Sequence, residues 1–356
     1  MRNLLLVFIL SVLFAPALSA QTQQPLTQAE FVKNLYEIQK SPAKRDQLIE
    51  QIRTRGIGFE ITSPLRSLVQ SKSGDAVLSR TLEEAARRRA NPTATALPSE
   101  KEANELLTKT REATLSSLDE MPDFVVKQLV ARSYAYAKTN NFQSADKLTV
   151  AVSYSADKGE DYKVLAINGI PQSEEKGERN YMKVGGTTSA GEFVTVLASI
   201  FKPETRAEFR AVDTDVLRNR RAIVYEYSVK RINSQQRITS VDLIPQSTIS
   251  GYQGKIWVDR ETSRVLRVEQ EATEIPTDFP IRAASREIDY DWVAIGDIKY
   301  LLPLASDVRL TSHYRDQSLE SRNQIRFRNY QKYGSEVKIL DDEEAVEEAP
   351  KEAKKP

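Results

Sequence analysis

The sequence predicts an α+β protein: a small N-terminal helical bundle, then a large curved antiparallel sheet, an incomplete barrel wrapped on helices. Three observations predict it. Apolar residues recur at helical spacing up to about residue 118, the period switches to two from Phe124 to Ile339, and the later segments are joined by connections of hairpin length.

The first twenty residues stand apart from the fold. Met1-Arg2-Asn3 gives a positive start, Leu4 to Phe14 is apolar except for Ser11, and Ala15 to Ala20 is mostly small. This is the pattern of a secretory signal peptide, residues 1–20, and the run is shorter than the roughly 20 apolar residues of a membrane span. The sequence therefore predicts an exported chain, periplasmic or secreted, with no transmembrane anchor.

Residues 21–90 form a small helical module. Thr27 and Glu30 make a capping box ahead of Phe31, Val32, Leu35 and Ile38. Ser41-Pro42 starts a second helix carrying Leu48, Ile49 and Ile52, with Gly56 as its stop. Ser63-Pro64 starts a third with Leu65, Leu68 and Val69, and Asp75 caps a fourth with Val77, Leu78, Leu82 and Ala85. The basic run Arg87-Arg88-Arg89 suits the C-terminus of that helix. Residues 91–98, uncharged and with two prolines, read as a linker.

The region 99–340 is the sheet domain. Ser99 and Glu102 open a helix to about Leu118, after which Val126 to Tyr136 and Leu148 to Tyr154 alternate as strands. Asn168-Gly169 is a tight-turn pair after Tyr162 to Ile167. Further strands are expected at Phe209–Val216, Ala222–Ile232, Arg237–Leu243, Lys255–Asp259, Arg264–Ala272, Ser285–Ile295, Ile298–Leu302, Asp307–Tyr314 and Asn323–Tyr333. One helix interrupts them: Ser189 and Glu192 form a third capping box before Phe193, Val194, Leu197, Ile200 and Phe201. A helix this apolar belongs against the concave side of the sheet. Residues 341–356 close the chain as an acidic, disordered tail.

Composition excludes several chemistries. With no Cys and a single His there is no thiol nucleophile, thiolate zinc site, multi-histidine metal centre or lipidated cysteine, and no cofactor is expected. Lys+Arg number 51 and Asp+Glu 50, and after Arg2 is removed the basic-to-acidic counts are 12 to 8 over 21–98, 35 to 35 over 99–340 and 3 to 7 over 341–356. No segment has the basic density of a nucleic-acid site. Gly185-Gly186-Thr187-Thr188-Ser189 before a helix offers amides to an anion but lacks a Gly-Lys-Ser/Thr ending. His313 has Ser312 and Asp316 nearby without a nucleophile-elbow pattern, and Asp289 and Asp291 share a strand face as an acid/base pair would. Arg218, Arg220 and Arg221 suit a head group, an acidic partner or plain solvent. None of these rises to a catalytic constellation, so the chain is expected not to be an enzyme.

The hairpin Gly254-Lys255-Ile256-Trp257-Val258-Asp259-Arg260-Glu261-Thr262 with Arg264 to Glu269, the stretch Val184 to Phe193, and the closing Arg326-Phe327-Arg328-Asn329-Tyr330 resemble the periplasmic outer-membrane lipoprotein-sorting type, a lipoprotein-carrier-like fold, and secreted bacterial proteins carrying that sheet. The resemblance covers roughly Ser99 to Leu340 and implies an unclosed barrel around a hydrophobic pocket for acyl chains, without catalysis. On that basis the leading expectation is a carrier-like protein holding a lipid or acyl chain, with Phe193, Leu197, Phe201, Trp257 and Trp292 as pocket walls. The alternative is an envelope structural or interaction protein with a packed sheet, whose helical module docks a partner protein.

Overall fold

The computed structural model describes residues 24–333 apart from 42–43, 93–95, 138, 140, 174–179, 242–244 and 315–316. The expected signal peptide, the acidic tail and part of the Ser41-Pro42 start and of the linker lie outside the described residues. The chain divides into two compact units, Met1–Ala96 and Leu97–Pro356.

The first unit holds α1 (Gln28–Lys40), α2 (Lys44–Arg55), α3 (Ser63–Lys72) and α4 (Ala76–Ala90). Side chains cap the orphan amides at the N-termini of α1, α3 and α4. Thr27 Oγ1 accepts the Glu30 amide at 3.2 Å while the Glu30 carboxylate accepts the Thr27 amide at 2.9 Å, which is the reciprocal box expected from the sequence. Asp75 caps α4 through the Leu78 amide at 2.7 Å and takes Arg45 of α2 at 2.5 Å, so one carboxylate both ends a loop and ties two helices. The core gathers Leu26, Phe31, Leu35, Leu48, Ile52 and Leu78, all at most 1% exposed. Arg87 and Arg88 of the basic run pair with the buried Glu84 at 2.5 and 3.4 Å, so much of that charge is answered within its own helix.

The second unit opens with α5 (Glu100–Asp119), capped by Ser99 on the Glu102 amide at 3.2 Å. The strands that follow are β1 (Phe124–Tyr136), β2 (Gln143–Ser155), β3 (Gly159–Ile167), β4 (Ile170–Pro171), β5 (Glu208–Leu217), β6 (Arg220–Val229), β7 (Arg237–Ser240), β8 (Gln246–Ile249), β9 (Gly251–Asp259), β10 (Val265–Thr273), β11 (Ile281–Ile295), β12 (Ile298–Tyr314) and β13 (Gln317–Lys332). Between β4 and β5 lies α6 (Thr195–Phe201). Eleven strands form one sheet in the order β4-β3-β2-β1-β13-β12-β11-β10-β9-β6-β5, with each neighbouring pair antiparallel, and β7 and β8 make a separate ribbon. The sheet is not closed: β4 and β5 are its ends.

The end strands carry their own protection. β4 has only two residues, one of them Pro171, which has no amide hydrogen. On β5 the amides of Thr214 and Val216, two residues apart and so on the same side of the strand, donate to the carboxylates of the preceding Asp213 and Asp215 at 3.0 and 2.7 Å.

Alternation fixes the two faces of the sheet. On β1, Phe124, Val126, Gln128, Val130 and Arg132 turn inward and are buried. Inward rows from β2, β6, β9, β11 and β13, together with α5 and α6, complete one apolar core that includes Phe193, Leu197, Ile200 and Phe201.

Two expectations need correction. Ile298–Leu302 and Asp307–Tyr314 are one strand, β12, because Pro303 sits at a register shift opposite Tyr290, where no ladder hydrogen bond is required of it. The capping box at Ser189 and Glu192 does not form: α6 begins at Thr195 with no side-chain cap, and the Ser189 hydroxyl meets the Glu192 carboxylate instead. The reason is tertiary, since Glu192 is fully buried in a polar cluster against β3.

Candidate functional site: the helical cover and its clasp

The inner face of the sheet holds its cover through donors that reach backbone carbonyls. Tyr225 donates to Ala103 O of α5 at 2.8 Å, Tyr252 to Ser199 O of α6 at 2.6 Å and Tyr290 to Glu192 O at 3.0 Å. Arg264 reaches Ala113 O and the Ser117 hydroxyl of α5. Beneath α6 the interior is aromatic: the Phe193 ring lies 5.3 Å from Phe124, 5.2 Å from Phe327 and 6.3 Å from Tyr330, and Phe201 stacks on Phe209 at 5.8 Å. These rings pack against one another around Phe193.

The loop that leads into α6 is fastened by sheet side chains. Arg132, bound to Asp146 through two hydrogen bonds of 2.6 Å, donates to Gly185 O at 2.5 Å. Gly186 lies at φ +65°, and a Cβ there would come within 2.9 Å of the Arg132 guanidinium, so glycine is what lets the arginine approach. Asn323 donates to Thr187 O at 2.7 Å, and the hydroxyls of Thr187 and Ser321 meet at 2.5 Å.

The loop ends in a cluster of the buried Tyr181, Ser189 and Glu192 with the half-buried Glu160 and Tyr162. The Gly191 amide donates to Glu160 Oε2 at 2.9 Å and to the Tyr162 hydroxyl at 3.2 Å, and Tyr162 itself donates to Glu160. The protein's own carboxylate thus takes the Gly191 amide, just beyond the stretch Gly185-Gly186-Thr187-Thr188-Ser189. Burial, and then the neighbouring Glu192 charge, raise the Glu160 pKa above the carboxylate value against the hydrogen bond from Tyr162. Burial also drives the Tyr162 hydroxyl far up and pushes Tyr181 up to about 12. Tyr162 and Tyr181 stack at 5.2 Å over this network. These hydrogen bonds make the cluster a polar clasp between β3 and the root of α6, in which Glu160 Oε1 alone of the two Glu160 oxygens is left without a partner.

The five residues expected to wall a pocket do not converge. Phe193, Leu197 and Phe201 share the main core, whereas Trp257 alternates to the other face of the sheet, in a cluster with Val212, Leu217, Val224 and Leu266. Its indole donates to Asp215 at 2.9 Å. Trp292 is half-buried under the Arg264 guanidinium, 6.0 Å from its ring centre.

The remaining candidates are accounted for by pairing. Asp289 accepts Arg267 through two hydrogen bonds of 2.7 Å and Arg218 at 3.2 Å, and Asp291 pairs with Arg218 at 3.5 Å. Burial alone would raise the Asp289 pKa, but the hydrogen bonds and charge of Arg267 outweigh it and hold the carboxyl below its ordinary value. An aspartate held ionised at neutral pH between two arginines is poorly placed to act as a general acid. Arg220 pairs with the buried Asp259 at 2.5 Å, and His313 is exposed with its Nδ1 3.2 Å from the Ser318 hydroxyl. Sequence reasoning missed Glu160 and Tyr162, whose alternating strand pattern carries no mark of the loop that lands on them. Among the described residues there is no group of three or more His, Cys, Asp or Glu placed to hold a metal, and no helix is long and apolar enough to cross a membrane.

Fold and site together define an open antiparallel sheet with a clasped helical cover. No protein-family model matches the sequence, and no curated protein matches it. Among solved structures the chain is similar to an outer-membrane lipoprotein-sorting protein domain from Vibrio parahaemolyticus, with 14% identity over 65% of this chain and 93% of that one and a TM-score of 0.28. It is similar also to a DUF1329 family protein from Desulfovibrio piger, with 10% identity, 66% and 95% coverage and a TM-score of 0.29. The MucA/MucB complex of Pseudomonas aeruginosa contains a third similar chain, with 11% identity, 62% and 93% coverage and a TM-score of 0.17. These are distant likenesses, and the architecture described above stands on the strand register of this chain alone.

Proposed function

We propose that this is a non-enzymatic interaction protein of the bacterial cell envelope, in which a packed sheet domain carries a helical module that docks a partner protein. One observation carries the reading: between sheet and cover the Phe193 ring packs against the protein's own Phe124 and Phe327, with Phe193 and Phe201 at 1% and 2% exposure. Export is supported by the N-terminal sequence, and the lack of Cys means that the large sheet core does the stabilising that disulfides do in smaller secreted domains. Native mass spectrometry of the protein purified from its own envelope tests the packed interior. The expected mass is that of the chain alone, and a co-purifying lipid overturns the reading. In cross-linking in intact cells, deletion of Pro25–Ala90 abolishes the partner adduct, and an unchanged adduct overturns the docking role.

Carriage of a lipid or acyl chain is the second reading. It is favoured by the open sheet with an apolar inner face under a seven-residue helix. In that reading Phe193, Leu197 and Phe201 meet the chain only after α6 is displaced.

A further inference from the structure

The outer face of the sheet has two electrically different halves. From β6 across to β12 and the first half of β13 its charges are cross-paired: Arg267 with Asp289 and Glu287, Arg218 with Asp289, Arg322 with Asp307, Arg309 with Glu320, and Lys255 with Glu226. Over β2, β1 and the second half of β13 the pattern is different. Lys147, Lys127, Arg326 and Arg328 alternate with the buried inward rows, and among the described residues their side chains have no ion-pair or hydrogen-bond partner.

The register makes this a patch. Lys127 stands directly opposite Arg328 and Leu129 opposite Arg326, while Lys147 stands opposite Ala131. Like charges directly opposite each other on neighbouring strands are destabilising, and the fold accepts that cost at Lys127 and Arg328. Between the cations the surface is short and apolar: Leu129 is 39% exposed, and Ala131, Ala151 and Thr149 lie beside it with no acidic neighbour opposite them on β1 or β2.

We propose that this half of the outer face docks onto an anionic phospholipid bilayer. Clustered, unanswered Lys and Arg around an exposed leucine fit phosphate head groups at the rim and acyl carbons beneath them. The proposal deepens the envelope reading by naming a partner surface, and it rests on that reading for access to a membrane. It is independent of what the helical module binds and of whether the interior is filled.

The test is flotation of the full exported protein with vesicles of phosphatidylcholine alone and of phosphatidylcholine with phosphatidylglycerol, about seven to three. Binding is expected only to the anionic vesicles at about 0.1 M salt, and is expected to be lost at about 0.5 M, where exposed charges are screened. The triple variant Lys127→Gln, Arg326→Gln, Arg328→Gln is expected to bind on the order of 100-fold more weakly, from roughly fivefold per basic residue at a charged surface. It keeps its fold and melts no lower than the parent, because a repulsive pair has been removed. A control with the same charge lost at exposed Lys202, Lys230 and Lys299 is expected to bind as the parent does. Equal loss in the two triples overturns the proposal in favour of net charge. Failure of the parent to float with anionic vesicles, while the patch retains a synthetic peptide copying Asp341–Pro350, overturns it in favour of an acidic polypeptide.

Discussion

Phe193→Ala separates the packed interior from an open pocket. The ring is 1% exposed and meets Phe124, Phe327 and Tyr330 at 5.3, 5.2 and 6.3 Å. Removing it forfeits about 2–3 kcal/mol of apolar transfer. It also leaves a hole of roughly 100 Å³, worth about 2 kcal/mol if the surroundings do not collapse. The expected loss is therefore about 4 kcal/mol, within the span found for buried Phe→Ala changes. Urea unfolding followed by tryptophan fluorescence is the assay, since Trp257 and Trp292 both lie in the sheet domain. The midpoint falls by roughly 1 M with the slope unchanged. A loss below about 1 kcal/mol refutes the reasoning, because only a ring bordering empty space can be deleted so cheaply.

Three further outcomes follow from the same contacts. Glu160 has a raised pKa when folded, so its contribution is fully present below the unfolded value near 4.5 and is lost as pH rises through the folded value. Glu160→Gln accordingly raises the melting temperature at neutral pH and flattens its decline above 4.5, and parallel profiles for variant and parent count against the buried-carboxyl account. Asp289 has the opposite sign: its stabilisation is present above 3.8 and lost as pH falls through its lowered folded value, so Asp289→Asn costs about 1–3 kcal/mol at pH 7 and nothing in strong acid, measured by denaturant titration at both pH values. Gly254→Ala places a Cβ 1.9 Å from Glu269 O of the adjoining strand, and a calorimetric scan should show at least about 2 kcal/mol of destabilisation; an unshifted transition would mean that β9 and β10 are not so close.

Where local chemistry decides the outcome, the sequence was readable. Thr27, Thr62, Asp75 and Ser99 cap helices close to where the punctuation put them, and Asn168-Gly169 turns with φ of 48° and 79°. The alternation of β1 and β2 gave both strands and their buried faces. What failed depended on contacts far along the chain. Glu192 reads as a capping residue until β3 brings Tyr162 to it, and Pro303 reads as a break until a bulge excuses its missing amide. Trp257 was grouped with Phe193 by its apolar character, although its strand parity points it to the opposite face from Ile256 and Val258. Parity is legible only when the sheet's inner side is known. The unanswered cations over β1 and β13 were equally hidden, because Lys127 and Arg328 become neighbours only through a pairing of the first strand with the last.

That pairing of the first strand with the last also determines how such a molecule behaves in a crowd. An open sheet ordinarily invites a foreign strand at each end, and a chain of eleven strands would make an efficient seed for polymers. Here one end is a dipeptide finished by Pro171, and the other has two of its amides bound to the carboxylates of Asp213 and Asp215. A foreign strand therefore meets fewer free amides at either end, which favours association through the broad faces, where side chains rather than the backbone select the partner.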